Sequence, residues 1–293
     1  MGDIIQPRAA GARKVIAHRG ASGYAPEHTL AAYRLALEQR ADYVEQDLAV
    51  TRDGILISLH DDTLERTTDV ADVFPARFAP DPPGRPPGRH WLANDFTLAE
   101  LRQLDAGRWF DPRFAGERIV TWQEAIDLVR GRAGLYPELK SPAFYTARGV
   151  DMAELFVASV RRNGLDRPAS LEATPLVVQS FDEATIRRIA TELPNLPRTL
   201  LMESFDEGGM TDGRLRAIAA FATGIGPAKQ LVDRQPDVVA RAHAAGLTVT
   251  VYTFRAGSTG RFANVRDEMS HFLYTLGIDA LFTDNPDQFP RDP

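Results

Sequence analysis

Two histidines, His18 and His60, each follow a short apolar run near the start of the chain, and two carboxylates, Glu45 and Asp47, lie between them. The runs read as strands, and alternate strand positions point to one face, so we expect the two carboxylates to project together. Imidazoles exchange protons near neutral pH, and paired carboxylates bind hard cations. The combination predicts metal-assisted, acid–base hydrolysis of an anionic ester.

Three further residues extend this candidate site. Arg19 follows the first histidine directly and can hold a phosphate through two hydrogen bonds. Glu138 lies on a later strand, and a third carboxylate suits Mg²⁺ or Ca²⁺. Lys140 is two residues further on, where it could serve as a phosphate ligand or as the ion-pair partner of Glu138 or Asp47, and these two roles are compatible. Zinc is disfavoured, because the nitrogen ligands are assigned to proton transfer.

Other polar and aromatic residues carry a weaker signal. Gln179 ends another apolar run and serves either as a hydrogen-bond donor to phosphate or water or as a core residue. Tyr252 and Phe254 lie near a late strand end, where they either line the pocket against an apolar or glycerol group or belong to the core. His28 precedes a helix and is given at most a minor role. No function is predicted for His90, His243 and His271.

A repeated β-α chain must position these residues. Short apolar runs bounded by turn residues alternate with helical patterns, which predicts a TIM (β/α)8 barrel, whose active sites lie at the carboxyl ends of the strands. The predicted strands lie near 15–18, 43–50, 135–140, 176–181, 199–202, 224–226, 248–254 and 280–283. The predicted helices cover 29–39, 121–129, 152–162, 183–193, 214–221, 236–245 and 265–276.

One apolar run, residues 55–59, has no helix before it. Only the turn from Thr51 to Gly54 separates it from the strand at 43–50. Parallel neighbours need a crossover of about a dozen residues, so this short link predicts an antiparallel hairpin. The hairpin would bring His60 back roughly opposite Glu45.

The segment 62–117 breaks the β-α rhythm. Its proline-rich run, residues 80–88, excludes a helix or a central strand. A helical piece is predicted over 97–104, where Thr97 and Glu100 form a capping box. We interpret residues 1–293 as a single barrel domain and residues 62–117 as a small inserted subdomain near the mouth of the active site.

Composition narrows the classes of partner. The chain has 293 residues, 44% of them hydrophobic, a net charge of −6 and no cysteine, which argues against a nucleic-acid partner and excludes thiolate metal sites. No apolar run reaches membrane-spanning length, so no stable membrane insertion is expected. The first residues show no signal peptide. We therefore expect a cytoplasmic protein as written, or a periplasmic or secreted one if a leader has been removed.

Taken together, these residues resemble the glycerophosphodiester phosphodiesterase family. The matching segments, in chain order, are AHRGASGYAPEHTLAAY, DYVEQDLAVTRDG, LHDDTLERTTDVAD, YPELKSP, QSFD, GIGP and LFTDNPD. The EHTL segment and the TTDVADVFP insertion are similar to the bacterial periplasmic and secreted branch of that family.

The resemblance implies a TIM barrel with an inserted subdomain and a requirement for Ca²⁺ or Mg²⁺. It implies that His18 and His60 are the acid–base pair and that Arg19 and Lys140 contact the phosphate. The implied metal ligands are Glu45, Asp47 and Glu138. The implied substrates are small glycerophosphodiesters such as glycerophosphocholine and glycerophosphoethanolamine, which are cleaved to sn-glycerol 3-phosphate and an alcohol.

Two mechanisms are open for the phosphodiesterase activity at this point, and two other enzymatic activities are open beside it. The 2-hydroxyl of the glycerol attacks phosphorus and forms a cyclic phosphate that water opens, or water attacks directly. The same site could instead serve a lysophospholipase D or a phosphatidylinositol-phospholipase-C-like activity. From another class, the chain could be a non-catalytic barrel that serves as a binding module, but none of the candidate histidines and carboxylates is missing.

Overall fold

The strands follow the predicted order along the chain. The structure is a computed structural model, and it describes residues 13–80, 86–205 and 209–291. The strands are β1 Lys14–Ala17, β2 Tyr43–Val50, β3 Leu56–Ser58, β4 Ala79–Pro80, β5 Arg89–His90, β6 Gly134–Leu139, β7 Val178–Ser180, β8 Arg198–Met202, β9 Gly224–Pro227, β10 Thr248–Phe254 and β11 Ala280–Thr283.

A closed parallel barrel is built from β1, β2 and β6 to β11. Neighbouring strands along the chain pair in parallel, and β1 pairs with both β2 and β11, which closes the sheet. Among the described residues these are eight strands, so the predicted TIM barrel is confirmed. The strands are buried on both faces, as in β2, because side chains fill the inside and helices cover the outside.

The remaining strand of this sheet, β3, forms the predicted hairpin. It pairs with β2 antiparallel, with Leu48 opposite Ser58 and Val50 opposite Leu56. The turn is closed by the backbone of Thr51, whose N–H donates to the carbonyl of Ile55 at 3.0 Å. The prediction of an antiparallel hairpin is therefore confirmed.

Helices follow most barrel strands. They are α1 Leu30–Glu38, α2 Val70–Val73, α3 Leu98–Leu101, α4 Trp122–Val129, α5 Pro142–Ala147, α6 Met152–Arg162, α7 Pro168–Ala173, α8 Glu183–Glu192, α9 Asp212–Ala219, α10 Lys229–Arg234, α11 Val238–Ala244 and α12 Val265–Ser270. The helix predicted over 265–276 ends in a π-helical turn, His271–Thr275. The short helices α2, α5, α7 and α10 were not predicted, because four to six residues are too few for a periodic pattern.

The segment 62–117 contains α2, α3, the two-stranded sheet of β4 and β5, and 3-10 turns at Ala93–Asp95 and Pro112–Phe114. The capping box at Thr97 and Glu100 is present, but its helix ends at Leu101 rather than at residue 104. Of the proline-rich run, Pro80 lies in β4 at the edge of the small sheet, while residues 81–85 lie outside the described residues.

Large apolar side chains from 62–117 join the core that surrounds the first half of the barrel. Leu64, Phe96 and Leu101 belong to the same buried cluster as Leu48 on β2 and Trp122 on α4. A second cluster fills the space between the later strands and their helices. The segment is thus packed onto the barrel rather than tethered to it. In the described part of the chain, no helix has the length and apolar character needed to cross a bilayer.

Candidate active site

Three of the predicted site residues lie in register on neighbouring strands of the barrel. Asp47 on β2 is in register with Glu138 on β6, and Glu138 is in register with Gln179 on β7. All three are buried. Parallel strands place residues in register next to one another, so three side chains that are far apart in sequence lie side by side.

A buried acidic group lies at the centre. Glu45 and Asp47 are each 2% exposed, and their oxygens lie with a nitrogen of His28 within 4.8 Å of one another. Glu138 lies beside Asp47 on the neighbouring strand. Two carboxylates and an imidazole at this spacing could hold a metal ion, with the third carboxylate next to them.

His28 is the residue that the sequence analysis undervalued. Its Nε2 lies 2.9 Å from Asp47 Oδ2, and its Nδ1 lies 2.9 Å from the hydroxyl of Tyr33. At most a minor role was predicted for His28, whereas the structure places its buried side chain in the acidic group. Zinc was disfavoured because the nitrogen ligands were assigned to proton transfer. That reason fails, because the imidazole of His28 is a further nitrogen donor at the site. Its position beside the helix cap Thr29 carried no signal of this contact.

Two cations border the acidic group. The Arg19 backbone N–H donates to Glu45 Oε2 at 2.7 Å, and Arg19 Nε lies 3.2 Å from Asp47 Oδ2. Lys140 Nζ lies 3.3 Å from Glu138 Oε1 and 3.7 Å from Asp47 Oδ1. Arg19 Nε is buried and has no aligned hydrogen-bond acceptor among the described residues. For Lys140, the ion-pair alternative describes this structure.

The loop from residue 18 to 29 brings these groups together through unusual backbone angles. Arg19 and His28 both have φ of 57°, and the N–H of His28 donates to the carbonyl of Arg19 at 3.0 Å. Left-handed backbone in residues other than glycine is strained and is found preferentially at functional sites. Thr29 then begins α1 as its N-cap, with its hydroxyl accepting from the N–H of Ala32.

The charges of the three carboxylates are unequal. Burial, together with the charge of Asp47, raises the pKa of Glu45 well above its usual value and that of Glu138 to about 8. Burial also tends to raise the pKa of Asp47, but the charges of Lys140 and Arg19 hold the pKa of its carboxyl well below the usual range. The raised pKa values of Glu45 and Glu138 show that burial disfavours their ionised forms, and a bound cation would stabilise those forms.

The first predicted proton-transfer residue, His18, lies beside this group. Its Nδ1 lies 2.6 Å from Asp284 Oδ1, and Asp284 Oδ2 lies 3.2 Å from Arg255 Nε. Burial and the charge of Arg19 lower the pKa of His18 to about 4, against the opposing effect of Asp284. Asp284 was not predicted, because it is 266 residues away in sequence and comes close only when β1 pairs with β11.

The second, His60, returns to the site through the hairpin. Leu59 N donates to the carbonyl of Asp47 at 2.9 Å, so His60 leaves the hairpin next to the carboxylates of β2, close to its predicted place opposite Glu45. Its Nδ1 lies 2.6 Å from Asp61 Oδ1. A carboxylate on Nδ1 leaves Nε2 of each histidine for a substrate.

The weaker predictions have different outcomes. Gln179 is 2% exposed, and its Oε1 is buried without a hydrogen-bond partner among the described residues. Tyr252 is half-buried, donates to the carbonyl of Met202 at 2.8 Å, and contacts the exposed ring of Phe181 edge to face. Phe254 is fully buried and packs against a ring of the helix layer, so it does not line the barrel mouth and its predicted pocket role is corrected to core packing.

Comparisons with known proteins agree with this geometry. A family model described as "Glycerophosphoryl diester phosphodiesterase family" matches residues 18–288. The chain is 33% identical over 284 residues to "Glycerophosphodiester phosphodiesterase" of Bacillus subtilis, which covers 94% of this chain and 85% of the relative. It is 30% identical over 329 residues to the protein of the same name in Haemophilus influenzae, covering 93% and 87%.

Solved structures give the same result. A phosphodiesterase of Oleispira antarctica, in complex with the product sn-glycerol-3-phosphate, has a TM-score of 0.71 and 28% identity, covering 94% of each chain. The glycerophosphodiester phosphodiesterase of Agrobacterium tumefaciens has a TM-score of 0.69 and 28% identity, covering 94% of this chain and 98% of that one. The chain described here is thus an enzyme that belongs to the glycerophosphoryl diester phosphodiesterase family.

Proposed function

We propose that this enzyme hydrolyses small glycerophosphodiesters, such as glycerophosphocholine, to sn-glycerol 3-phosphate and an alcohol by means of His18, His60 and a divalent cation. The observation that carries the proposal is the pair of imidazoles, each held at Nδ1 by its own aspartate at 2.6 Å, together with a buried acidic group that could hold a metal ion. These residues supply two proton-transfer groups and a cation site that could bind the phosphate.

The donor set fits a divalent cation. Glu45, Asp47 and Glu138 would hold it, and the imidazole of His28 is a further donor within 4.8 Å of the oxygens of Glu45 and Asp47. The Oε1 of Gln179, which has no hydrogen-bond partner among the described residues, supports the fit, since it leaves an acceptor beside Glu138 for a bound group. Oxygen ligands favour Ca²⁺ or Mg²⁺. When bound, the cation withdraws charge from the phosphodiester in the transition state.

Arg19 and Lys140 would bind the phosphate from the other side. Among the described residues, Arg19 Nε is buried without an aligned acceptor and lies 3.2 Å from Asp47 Oδ2, while its Nη1 donates to Glu27 Oε1 at 3.0 Å. Burial lowers the pKa of Lys140, but Asp47 and Glu138 raise it above its usual value overall, so the ammonium stays charged. Both donors can stabilise the charge that develops on the phosphate oxygens.

His18 is the candidate for the first base. Its lowered pKa keeps Nε2 unprotonated at neutral pH, while Nδ1–H donates to Asp284. In the first step, Nε2 takes the proton of the glycerol 2-hydroxyl, the oxygen forms a bond to phosphorus, and the bond to the leaving alcohol breaks. His60 donates a proton to that alcohol. Water then opens the cyclic phosphate with the two histidines in exchanged roles.

We further propose that residues 62–117 form one border of the site. The segment begins directly after His60 and Asp61, and its core residues pack in the same cluster as β2 and α4. A packed insertion at the mouth of a barrel shapes access to the site. This border would favour a small phosphodiester over a lipid.

The test is hydrolysis of glycerophosphocholine with Ca²⁺ or Mg²⁺, with and without a chelator. We expect His18→Ala and His60→Ala each to lower kcat by about 100- to 10,000-fold. His243→Ala is the control, because His243 also pairs with an aspartate, Asp279 at 2.8 Å, on the exposed surface. Undiminished turnover in the His18 variant contradicts the assignment. Lysophosphatidylcholine in parallel assays tests the lysophospholipase D alternative, and faster cleavage of that lipid would favour it.

A further inference from the structure

Arg66, which lies in the segment 62–117, bridges two carboxylates of the candidate site. Its Nε donates to Asp61 Oδ2 at 2.5 Å, and its two terminal nitrogens donate to the two oxygens of Glu27 at 2.9 and 2.7 Å. The guanidinium thus satisfies three carboxylate oxygens from two chain segments that are far apart in sequence. An ordinary surface ion pair joins only two residues, whereas Arg66 holds two carboxylates at once.

One of the two carboxylates holds a proton-transfer residue. Asp61 Oδ1 lies 2.6 Å from His60 Nδ1, while Oδ2 takes the hydrogen bond from Arg66. With one oxygen held by Arg66, the carboxylate is fixed in the orientation that it presents to the imidazole. Burial acts against ionisation, but the hydrogen bonds from His60 and Arg66 lower the pKa of Asp61 below its usual value.

The other carboxylate holds the candidate phosphate ligand. Glu27 Oε1 accepts from Arg66 and also from Arg19 at 3.0 Å. Burial opposes ionisation here as well, but Arg66 and Arg19 hold the pKa of Glu27 at about 2. The side chain of Glu27 is 13% exposed, whereas that of Arg66 is 41% exposed. Arg66 therefore closes this ion-pair chain from the solvent side.

We propose that Arg66 is a positioning residue that sets the orientation of His60 through Asp61 and that of Arg19 through Glu27. The inference rests on the proposed function, in which these two residues transfer a proton and bind the phosphate. It assigns the segment 62–117 a part in building the site in addition to forming its border. One side chain then aligns the acid–base group and the phosphate ligand together.

The chemistry of the bridge requires arginine. A planar guanidinium presents donors in a fixed fork and can serve both carboxylates at once, whereas an ammonium is a point charge. Arg66→Lys keeps the positive charge but cannot reproduce three directed hydrogen bonds. The conservative variant therefore separates the effect of charge from the effect of geometry.

The experiment compares Arg66→Gln, Arg66→Lys, Asp61→Asn and Glu27→Gln in enzyme saturated with Ca²⁺ or Mg²⁺. The matched control is Arg261→Gln, since Arg261 makes a bidentate ion pair with Asp233, with nitrogen–oxygen distances of 2.7 and 2.9 Å, and neither residue belongs to the candidate site. The readouts are kcat and KM for glycerophosphocholine, the affinity for sn-glycerol 3-phosphate by calorimetry, the melting temperature, and the ¹⁵N spectrum of the His60 ring.

We expect Arg66→Gln to lower kcat/KM by about 10- to 100-fold, with a smaller loss for Arg66→Lys. Asp61→Asn should lower kcat and change the tautomer signal of His60, while Glu27→Gln should weaken product binding. Arg66→Gln should show both effects, and combining it with either carboxylate variant should cost less than the product of the single losses.

Three results would overturn the inference. The first is kcat/KM for Arg66→Gln within about twofold of wild type, as expected for Arg261→Gln and other exposed ion pairs. The second is a loss that follows the melting temperature alone, with an unchanged His60 spectrum. The third is full multiplication of the losses in the double variants. An inactive wild-type enzyme would instead contradict the proposed function, and the His60 spectra and calorimetry would still test Arg66.

Discussion

The two candidate proton-transfer residues share one construction, an imidazole with an aspartate 2.6 Å from Nδ1. The carboxylate selects the tautomer and stabilises the imidazolium that forms during the reaction. Their surroundings differ, since the side chain of His18 is 12% exposed and that of His60 is 32% exposed. Burial and the charge of Arg19 lower the pKa of His18, and this supports His18 as the first base.

Replacement of Asp284, the partner of His18, should affect turnover more than substrate binding. We expect Asp284→Asn to lower kcat by about 10- to 100-fold, with KM within about twofold of wild type, because the amide no longer stabilises a protonated His18. Steady-state kinetics of the metal-saturated enzyme measure both constants. Asp279→Asn is the control, since Asp279 pairs with the exposed His243. Equal kcat values for the two variants would contradict the role of Asp284.

At the scale of elements, the loop before α1 depends on a glycine. Gly20 has φ of 84°, and a Cβ there would lie 2.7 Å from the backbone carbon of Ala32. Gly54 in the β2–β3 turn has a similar φ of 78°, but a Cβ there would have no neighbour within 4 Å among the residues that the structure describes. The two positions share the backbone requirement and differ only in the space around them.

The two glycines therefore form a matched pair of variants. We expect Gly54→Ala to lower the free energy of unfolding by about 1 kcal/mol and to leave activity unchanged, since only the backbone is strained. Gly20→Ala should lower it further and reduce kcat/KM by at least about 10-fold, because the loop that carries Arg19 must move. Urea unfolding and steady-state kinetics measure both quantities. Equal kinetic losses in both variants would refute the explanation.

The segment 62–117 depends on one buried carboxylate for its last turn. Asp105 accepts from the backbone N–H groups of Gly107, Arg108 and Gly116 at 2.9, 2.8 and 2.8 Å. Burial raises the pKa of Asp105, but these three hydrogen bonds lower it below its usual value overall. A depressed pKa in the folded state stabilises the protein above the unfolded pKa, and the stabilisation is lost as the pH falls through the folded pKa.

Replacement of Asp105 should therefore have a pH-dependent effect. We expect Asp105→Asn to lower the free energy of unfolding by about 1–3 kcal/mol at neutral pH, because a charged acceptor of three N–H groups is lost. The difference from wild type should shrink below about pH 4, where the aspartate of the unfolded chain is protonated. Denaturant unfolding at several pH values measures it. A constant difference from neutral to acidic pH would be inconsistent with this argument.

At the scale of the whole molecule, the barrel buries three carboxyl groups, Glu45, Asp47 and Glu138, whose ionised forms a bound cation would stabilise. A ligand that binds only the folded state stabilises it by about 2.7 kcal/mol at a hundredfold excess over Kd. We expect Ca²⁺ or Mg²⁺ to raise the Tm by several degrees and a chelator to reverse the rise. Asp47→Asn should abolish the shift, whereas Glu154→Gln on the exposed side of α6 should keep it. An unchanged Tm in wild type would argue against a cation site.

Closure of the barrel decides which residues that are distant in sequence become partners. Pairing of β1 with β11 brings the chain ends together and places Asp284 beside His18. Pairing of β2 with β6 aligns Asp47 with Glu138 and brings Lys140 within reach of both. These contacts depend on closure of the barrel, so variants that open the β1–β11 seam should lose activity along with stability.

From the sequence alone, one could determine the order of strands and helices, the β2–β3 hairpin and the residue types available for chemistry. These follow from short-range patterns, since the period of apolar residues and the length of a turn are local properties. The return of His60 towards the carboxylates of β2 belongs here, because a hairpin is local in sequence. The tight capping box at Thr97 was predictable for the same reason.

Only the tertiary structure decided which side chains meet. His28 contacts Asp47, Asp284 holds His18, and Arg66 joins Asp61 to Glu27, although none of these contacts follows from spacing along the chain. The structure also shows that Phe254 lies in the core rather than in the predicted pocket. The physical reason is that these contacts arise from barrel closure and from a loop with left-handed residues, and such long-range geometry leaves no periodic pattern in the sequence.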